Sequence, residues 1–294
     1  MNLEVTQSGR HAVRLAHGFA LDGFSGIRRA VGLSLGPCLT FTTINLANNS
    51  TRVEPGHRRR PVSVYALHKR LNLPYETVRR YCQTLIDAGF CRRLDDGLII
   101  SISGPQAGPL REGAREAWRS TRKYVTALSG VGVEVPAGVR LLNEGHIDAV
   151  SLRATEHFLN LLDLAREAFQ IDTLAAFVQI AVLYANTRAM VPNPGKVNLV
   201  GVDAVPPDSE RLPVTAYRVA KILGLPYETT RRQILDLQQA GLCDRLSSGA
   251  AIVPARVLAR PHFMAATAAV VAEVERYLVA LAVVAPQTQA VQGE

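Results

Sequence analysis

Between residues 61 and 101 the apolar positions change period twice. Leu67 and Leu71 stand four apart behind Ser63, a good capping residue, and predict a short amphipathic helix. Asn72-Leu73 interrupts it, and Pro74 suits the first turn of a following helix, where its missing N–H costs nothing. Val78, Cys82, Leu85 and Ile86 lay one apolar stripe along that second helix, which Ala88-Gly89 ends with glycine as left-handed cap. Residues 90–94 then read as a strand, Asp95-Asp96-Gly97 as a hairpin turn, and 98–101 as the returning strand.

The same pattern returns later. Residues 61–101 align without a gap onto 213–253 at an offset of 152, with Pro61, Val62, Tyr65, Lys69, Leu71 and Leu73 matched. The match continues through Pro74–Thr77, Arg79, Arg80, Leu85, Ala88, Gly89, Cys91, Arg93, Leu94 and Gly97. Ordinary composition gives about two or three chance identities over such a length, so the segment is a duplication. The flanks repeat more faintly. Phe41, Ile44, Thr51 and Arg52 fall on Phe177, Ile180, Thr187 and Arg188 at an offset of 136, and Tyr124, Ala127 and Leu128 on Tyr277, Ala280 and Leu281 at 153. Each unit then reads as an N-terminal helix (24–49 and 156–188), the motif, and a C-terminal helix (111–128 and 261–284). That divides the chain into a first repeat, 1–135, a connector, 136–149, and a second repeat, 150–294. The expected fold is mainly α with small β-wings: two tandem winged helix-turn-helix domains, framed by N- and C-terminal helices and forming a pseudo-two-fold dimer. The apolar surfaces of residues 174–184 and 265–283 would pack the halves together.

Composition narrows the function classes. The 294 residues suit about two domains, and 48% hydrophobic against 20% charged residues favours a packed core over disorder. The longest uncharged apolar stretch, 173–187, is shorter than the ~20 residues a membrane helix needs. Arg10, Arg14, Arg28 and Arg29 interrupt any N-terminal run, so no signal peptide or membrane partner is read. Cys38, Cys82, Cys91 and Cys243 show neither C-x-x-C nor histidines at ligand spacing, which points to a reducing cytoplasm and no metal site. Cys91 and Cys243 share a strand position, where buried thiols are the plain alternative to a redox switch. No catalytic set stands at working spacing, so neither catalytic residue nor cofactor is assigned, and an enzyme is the least supported class. The net charge of +8 favours a polyanionic partner.

The run Leu-Pro-Tyr-Glu-Thr-Val-Arg-Arg at 73–80, followed by Leu85, Ala88-Gly89 and Phe90, resembles the recognition helix and wing start of MarR-, GntR- and IclR-type bacterial repressors. The flanking helices are similar to the MarR arrangement, in which two subunits join through terminal helices. The resemblance implies transcriptional regulation, double-stranded DNA as partner, and a monomer doing a dimer's work; it implies no effector. On this reading Tyr75, Glu76, Thr77, Arg79 and Arg80, with their twins Tyr227, Glu228, Thr229, Arg231 and Arg232, enter a major groove. There Arg pairs with guanine, Glu accepts from cytosine, and the Thr methyl meets thymine. A merely solubilising surface is the alternative. Against it, the pentad recurs unchanged while Gln83, Thr84 and Asp87 become Leu235, Asp236 and Gln239.

Tyr65 and Tyr217 read either as phosphate donors or as half-buried aromatics under the wing. Lys69 and Lys221 read as phosphate contacts or solvated charge. Arg92, Arg93 and Arg245 flank the wings, within reach of backbone or minor groove. Arg58, Arg59 and Arg60 precede the first motif as a phosphate-touching arm or a solvated loop. His68 stands where a small residue is expected, as Ala220 is in the second copy, so it packs differently or turns toward phosphates. Arg111, Arg115, Arg119 and Arg122 line one helical face, solvated or touching DNA. Two other readings remain: a plasmid-type replication initiator, whose two winged helices are typically dissimilar, and a winged-helix adaptor that binds protein, against which the retained arginines count.

Overall fold

The computed structural model describes residues 7–49, 60–101, 104–190 and 205–289. The first repeat runs α1 (Gln7–Val31), α2 (Leu35–Asn49), α3 (Val64–Leu71), α4 (Tyr75–Asp87), β1 (Cys91–Leu94), β2 (Gly97–Ile100) and α5 (Ala107–Gly130). A short α6 (Ala137–Arg140) lies in the connector. The second repeat runs α7 (Ile147–Phe169), α8 (Thr173–Thr187), α9 (Ala216–Leu223), α10 (Tyr227–Gln239), β3 (Asp244–Arg245), β4 (Ala251–Ile252), a short α11 (Ala255–Leu258) and α12 (Pro261–Gln289). The chain is thus mainly helical, with two antiparallel two-stranded sheets. No single helix among the described residues is long and apolar enough to cross a membrane.

The single N-terminal helices predicted over 24–49 and 156–188 are each two helices. α1 meets α2 at 97° and α7 meets α8 at 94°. Gly32 (φ 67°) and Gln170 (φ 55°) take the left-handed conformation that ends a helix. Asp172 then caps α8, its side chain accepting from the Ala175 N–H at 2.9 Å. Buried Val31, Leu33 and Leu35 carry apolar character across the first bend, and Phe169 and Ile171 across the second, so periodicity alone joins the halves.

Each corner aligns its α2 or α8 under the motif by one buried asparagine. Asn48 donates Nδ2–H to Arg60 O (2.7 Å) and Leu98 O (3.1 Å), and its Oδ1 accepts from Ile100 N–H (2.8 Å). Asn186 does the same to Leu212 O (2.7 Å), Ala251 O (3.2 Å) and Val253 N–H (2.9 Å). Equivalence of Asn48 with Asn186, and of α2 with α8 end to end, sets the flank offset at 138 and corrects the 136 read from Phe41 and Ile44. The gap-free motif alignment also fails at the hairpin. Arg92 pairs with Ile99 but Asp244 with Ile252, so the returning strand runs at 153. The first hairpin turns on two residues, Asp95-Asp96, and the second on three, with Gly249 left-handed (φ 80°). Gly97 and Gly249, identical in the alignment, are therefore not equivalent.

The halves meet through the long helices. α1 packs on α5 and α7 on α12 within each repeat; α5 packs on α7 and α1 on α12 between them. At the centre four rings gather: Phe19 stacks on Tyr124 (4.8 Å) and His157 on Tyr277 (4.2 Å). Phe19 also meets His157 (5.4 Å), its counterpart at offset 138, and Tyr124 meets Tyr277 (6.2 Å), its counterpart at 153. On the second repeat's side alone, His157 donates Nδ1–H to the buried Glu273 carboxylate at 2.7 Å. Burial holds this imidazole neutral, against the pull of Glu273. The apolar α8 and α12 both pack on α1, as their surfaces predict. At a second seam, Arg28 of α1 reaches the Gly224 carbonyl (3.5 Å), and a Cβ on Gly224 would run into its guanidinium. Asn72 fills the same left-handed position (φ 48°) in the first repeat.

Candidate nucleic-acid interface

The motif helices are held from beneath and bare above. Ser63 Oγ accepts from Ala66 N–H (3.1 Å) and Thr215 Oγ1 from Arg218 N–H (3.3 Å), fixing the starts of α3 and α9. Pro74 and Pro226 stand just before α4 and α10 as the capping residues, one position earlier than predicted. Val78, Cys82 and Leu85 bury one face of α4, and Thr230, Ile234 and Leu237 the same face of α10. Thr230, which replaces a valine, returns its hydroxyl to Pro226 O (3.2 Å), so the substitution leaves no unpaired polar group.

On the opposite face the pentads stand alike. Glu76, Arg79 and Arg80 are exposed, as are Glu228 and Arg232, while Thr77, Thr229 and Arg231 are half-buried. Glu76 accepts from Arg79 Nε at 2.8 Å, and Glu228 from Arg231 Nε at 2.9 Å. These i,i+3 pairs aim both guanidinium groups the same way in the two repeats. The pair with Glu76 also raises the pKa of Arg79, which is charged throughout.

Tyr65 and Tyr217 are 60% and 58% exposed, which removes the reading of rings packed under the hairpin. Lys69 Nζ lies 5.5 Å from the Tyr65 ring centre, and Lys221 Nζ 4.8 Å from that of Tyr217. α3 and α9 therefore carry the same exposed tyrosine–lysine unit, and Tyr75 and Tyr227 at the starts of α4 and α10 are themselves 43% and 48% exposed. His68 is accounted for by packing: Nδ1–H donates to Leu73 O at 2.6 Å, and the ring sits edge-on to Tyr75.

The hairpins differ. Each adds an outer bridge, Val62–Leu98 or Val214–Ala251. Arg92 and Arg93 are exposed on β1, and Arg245 is exposed on β3. Asp244 stands in place of Arg92 and binds Arg256 through both oxygens at 2.6 Å, which lowers the Asp244 pKa. One tip carries Asp95-Asp96 and the other Ser247-Ser248. Arg60 is exposed beside the Asn48 clamp; Arg58 and Arg59 lie outside the described residues. All four cysteines are free and buried, with thiol pKa values pushed up by desolvation to about 12 at Cys38 and Cys91 and about 11 at Cys82 and Cys243.

Sequence reasoning missed the asparagine clamps and the His157–Glu273 pair. The clamps had one signal, an asparagine near the end of each uncharged helix. Among the described residues, no group of three or more His, Cys, Asp or Glu side chains is placed to hold a metal ion. Comparisons with protein families, with characterised proteins and with solved structures give no match.

Proposed function

We propose that the chain is a sequence-specific regulator of transcription that binds duplex DNA through two winged helix-turn-helix units arranged as a pseudo-two-fold dimer within one monomer. The observation that carries this reading is the repeated outer face: Tyr75–Arg80 and Tyr227–Arg232 stand on equivalent helices with the same internal Glu–Arg pair. Neither face packs on the protein core, whereas the residues beneath them do. Repeated side chains of this kind suit base edges, and the tyrosine–lysine units and hairpin arginines suit phosphates. The pseudo-two-fold relation is supported by the four-ring cluster, in which each ring meets its own counterpart.

Selection from a random duplex pool tests the reading. The expected result is an imperfect inverted repeat with half-sites about one helical turn apart, bound with a Kd on the order of 10⁻⁸ M and weakening steeply with salt. Arg79→Ala and Arg231→Ala should each cost about 1–3 kcal/mol and relax one half-site. Failure to enrich any sequence over random duplex would sink the regulator and favour a protein-binding adaptor.

A further inference from the structure

The basic side chains of α5 that this interface does not use converge on a cleft. Arg115, Trp118, Arg119, Arg122 and Lys123 line it from α5, and Glu144 closes it from just before α7, around about 600 Å³. That volume lies within the range of small-molecule sites, roughly 300–1,000 Å³. Four cations thus share one space with a single lining carboxylate, and the walls come from α5 and from the connector that leads into α7. Glu112 pairs with Arg115 (3.2 Å) and Arg119 (2.8 Å), Glu116 pairs with Arg119, and Asp22 pairs with Lys123 (3.1 Å). The cations of these pairs are about half exposed or more, so water screens the pairs and each holds its partner only weakly. A multiply charged anion therefore competes with them at little cost. The Arg122 guanidinium lies 5.9 Å from the Trp118 ring centre.

Duplex phosphates are the obvious rival occupant, and the second repeat argues against them. At the equivalent positions α12 carries Ala268, Val271, Ala272, Glu275, Arg276 and Val279, so only the Lys123 charge is kept. A phosphate track on a two-fold complex would recur in both repeats, as the pentad does. We propose that the cleft binds a small polyanion bearing two or more phosphate-like groups, held by Arg115, Arg119, Arg122 and Lys123 at the junction of the repeats. This site stands whether or not the chain binds DNA.

Trp118 is the chain's single tryptophan, so its emission reports on the cleft directly. Titration of the full-length protein with inorganic pyrophosphate should change that emission saturably, and potassium chloride at matched ionic strength should not. The thermal midpoint should climb with pyrophosphate concentration. Arg119→Gln and Arg122→Gln should weaken the response about tenfold or more, since each removes a charged hydrogen-bonding group, while Arg111→Gln should leave it unchanged. Calorimetric titration of the unaltered protein decides the matter if a variant fails to fold. A response that does not saturate, one that both Gln variants retain, or displacement of pyrophosphate by random duplex overturns the proposal.

Discussion

Replacing Asn48 by alanine tests how the first hairpin is attached. The side chain makes three hydrogen bonds to backbone groups of the motif, at 2.7, 3.1 and 2.8 Å. Each is worth about 1 kcal/mol net, and a buried partner left without its bond adds to the loss. The three sites do not suffer equally. Leu98 O keeps the Val62 N–H at 3.0 Å, and Arg60 O belongs to an exposed residue that water reaches. The Ile100 amide, in a buried residue, loses the Asn48 acceptor. The expected cost is about 2–4 kcal/mol, a large share of the roughly 5–15 kcal/mol that holds a domain. With a urea m-value of about 3 kcal/mol/M the midpoint should fall by about 1 M, and amide exchange at Ile100 should accelerate more than in the core of α1. Asn48→Asp should do no better, because it keeps the acceptor but turns a carboxylate toward two carbonyls. A loss below about 0.5 kcal/mol with Ile100 still protected would refute the clamp.

Three further outcomes follow from the packing. Gly23→Ala, inside α1, should stabilise by about 0.5–1 kcal/mol in urea melts, since the new Cβ would meet Ser120 at an ordinary 3.5 Å; destabilisation would mean the helix cannot accommodate it. Burial, then the Arg14 charge, pushes His17 down to about 4, and His11 and His157 are also lowered. The unfolded chain takes up protons from about pH 6.5 that the folded chain refuses, so stability should fall between about pH 6.5 and 4, less steeply in His17→Gln. A flat profile would show that these groups titrate normally. Iodoacetamide at mildly alkaline pH should leave all four cysteines unmodified by mass spectrometry until urea unfolds the protein, and rapid labelling of native Cys91 would revive a redox role.

The motif was legible because its signals are local. Ser63 as a cap, left-handed Gly89, and the apolar stripe of α4 each act within a few residues, and the structure places them as read. The flanks misled because identity and geometry parted company. Phe41 and Ile44 match residues two positions out of register, whereas the true alignment of α2 with α8 keeps little beyond Ala47 and Asn48. A buried helix tolerates exchange among apolar residues, so its identities decay first; an asparagine bonding three backbone groups cannot be exchanged. The hairpin slip escaped notice because one added residue in a turn leaves both strands readable. Exposure of Tyr65 and Tyr217 lay beyond the sequence, since an aromatic one turn from a hairpin is equally plausible above or below it.

The seam between the repeats also constrains the history of the chain. Two copies of the first repeat, meeting as the halves now do, would set Phe19 against Phe19, with Ser120 where Glu273 stands and no buried charge. Two copies of the second would bring two His157–Glu273 pairs into one dry centre, and desolvation of that many ionisable groups is costly. Only the mixed pairing puts one hydrogen-bonded His157–Glu273 pair against one hydrocarbon ring. Whatever symmetry the duplication began with, each half now brings to this seam a group the other lacks, so neither half doubled would rebuild it.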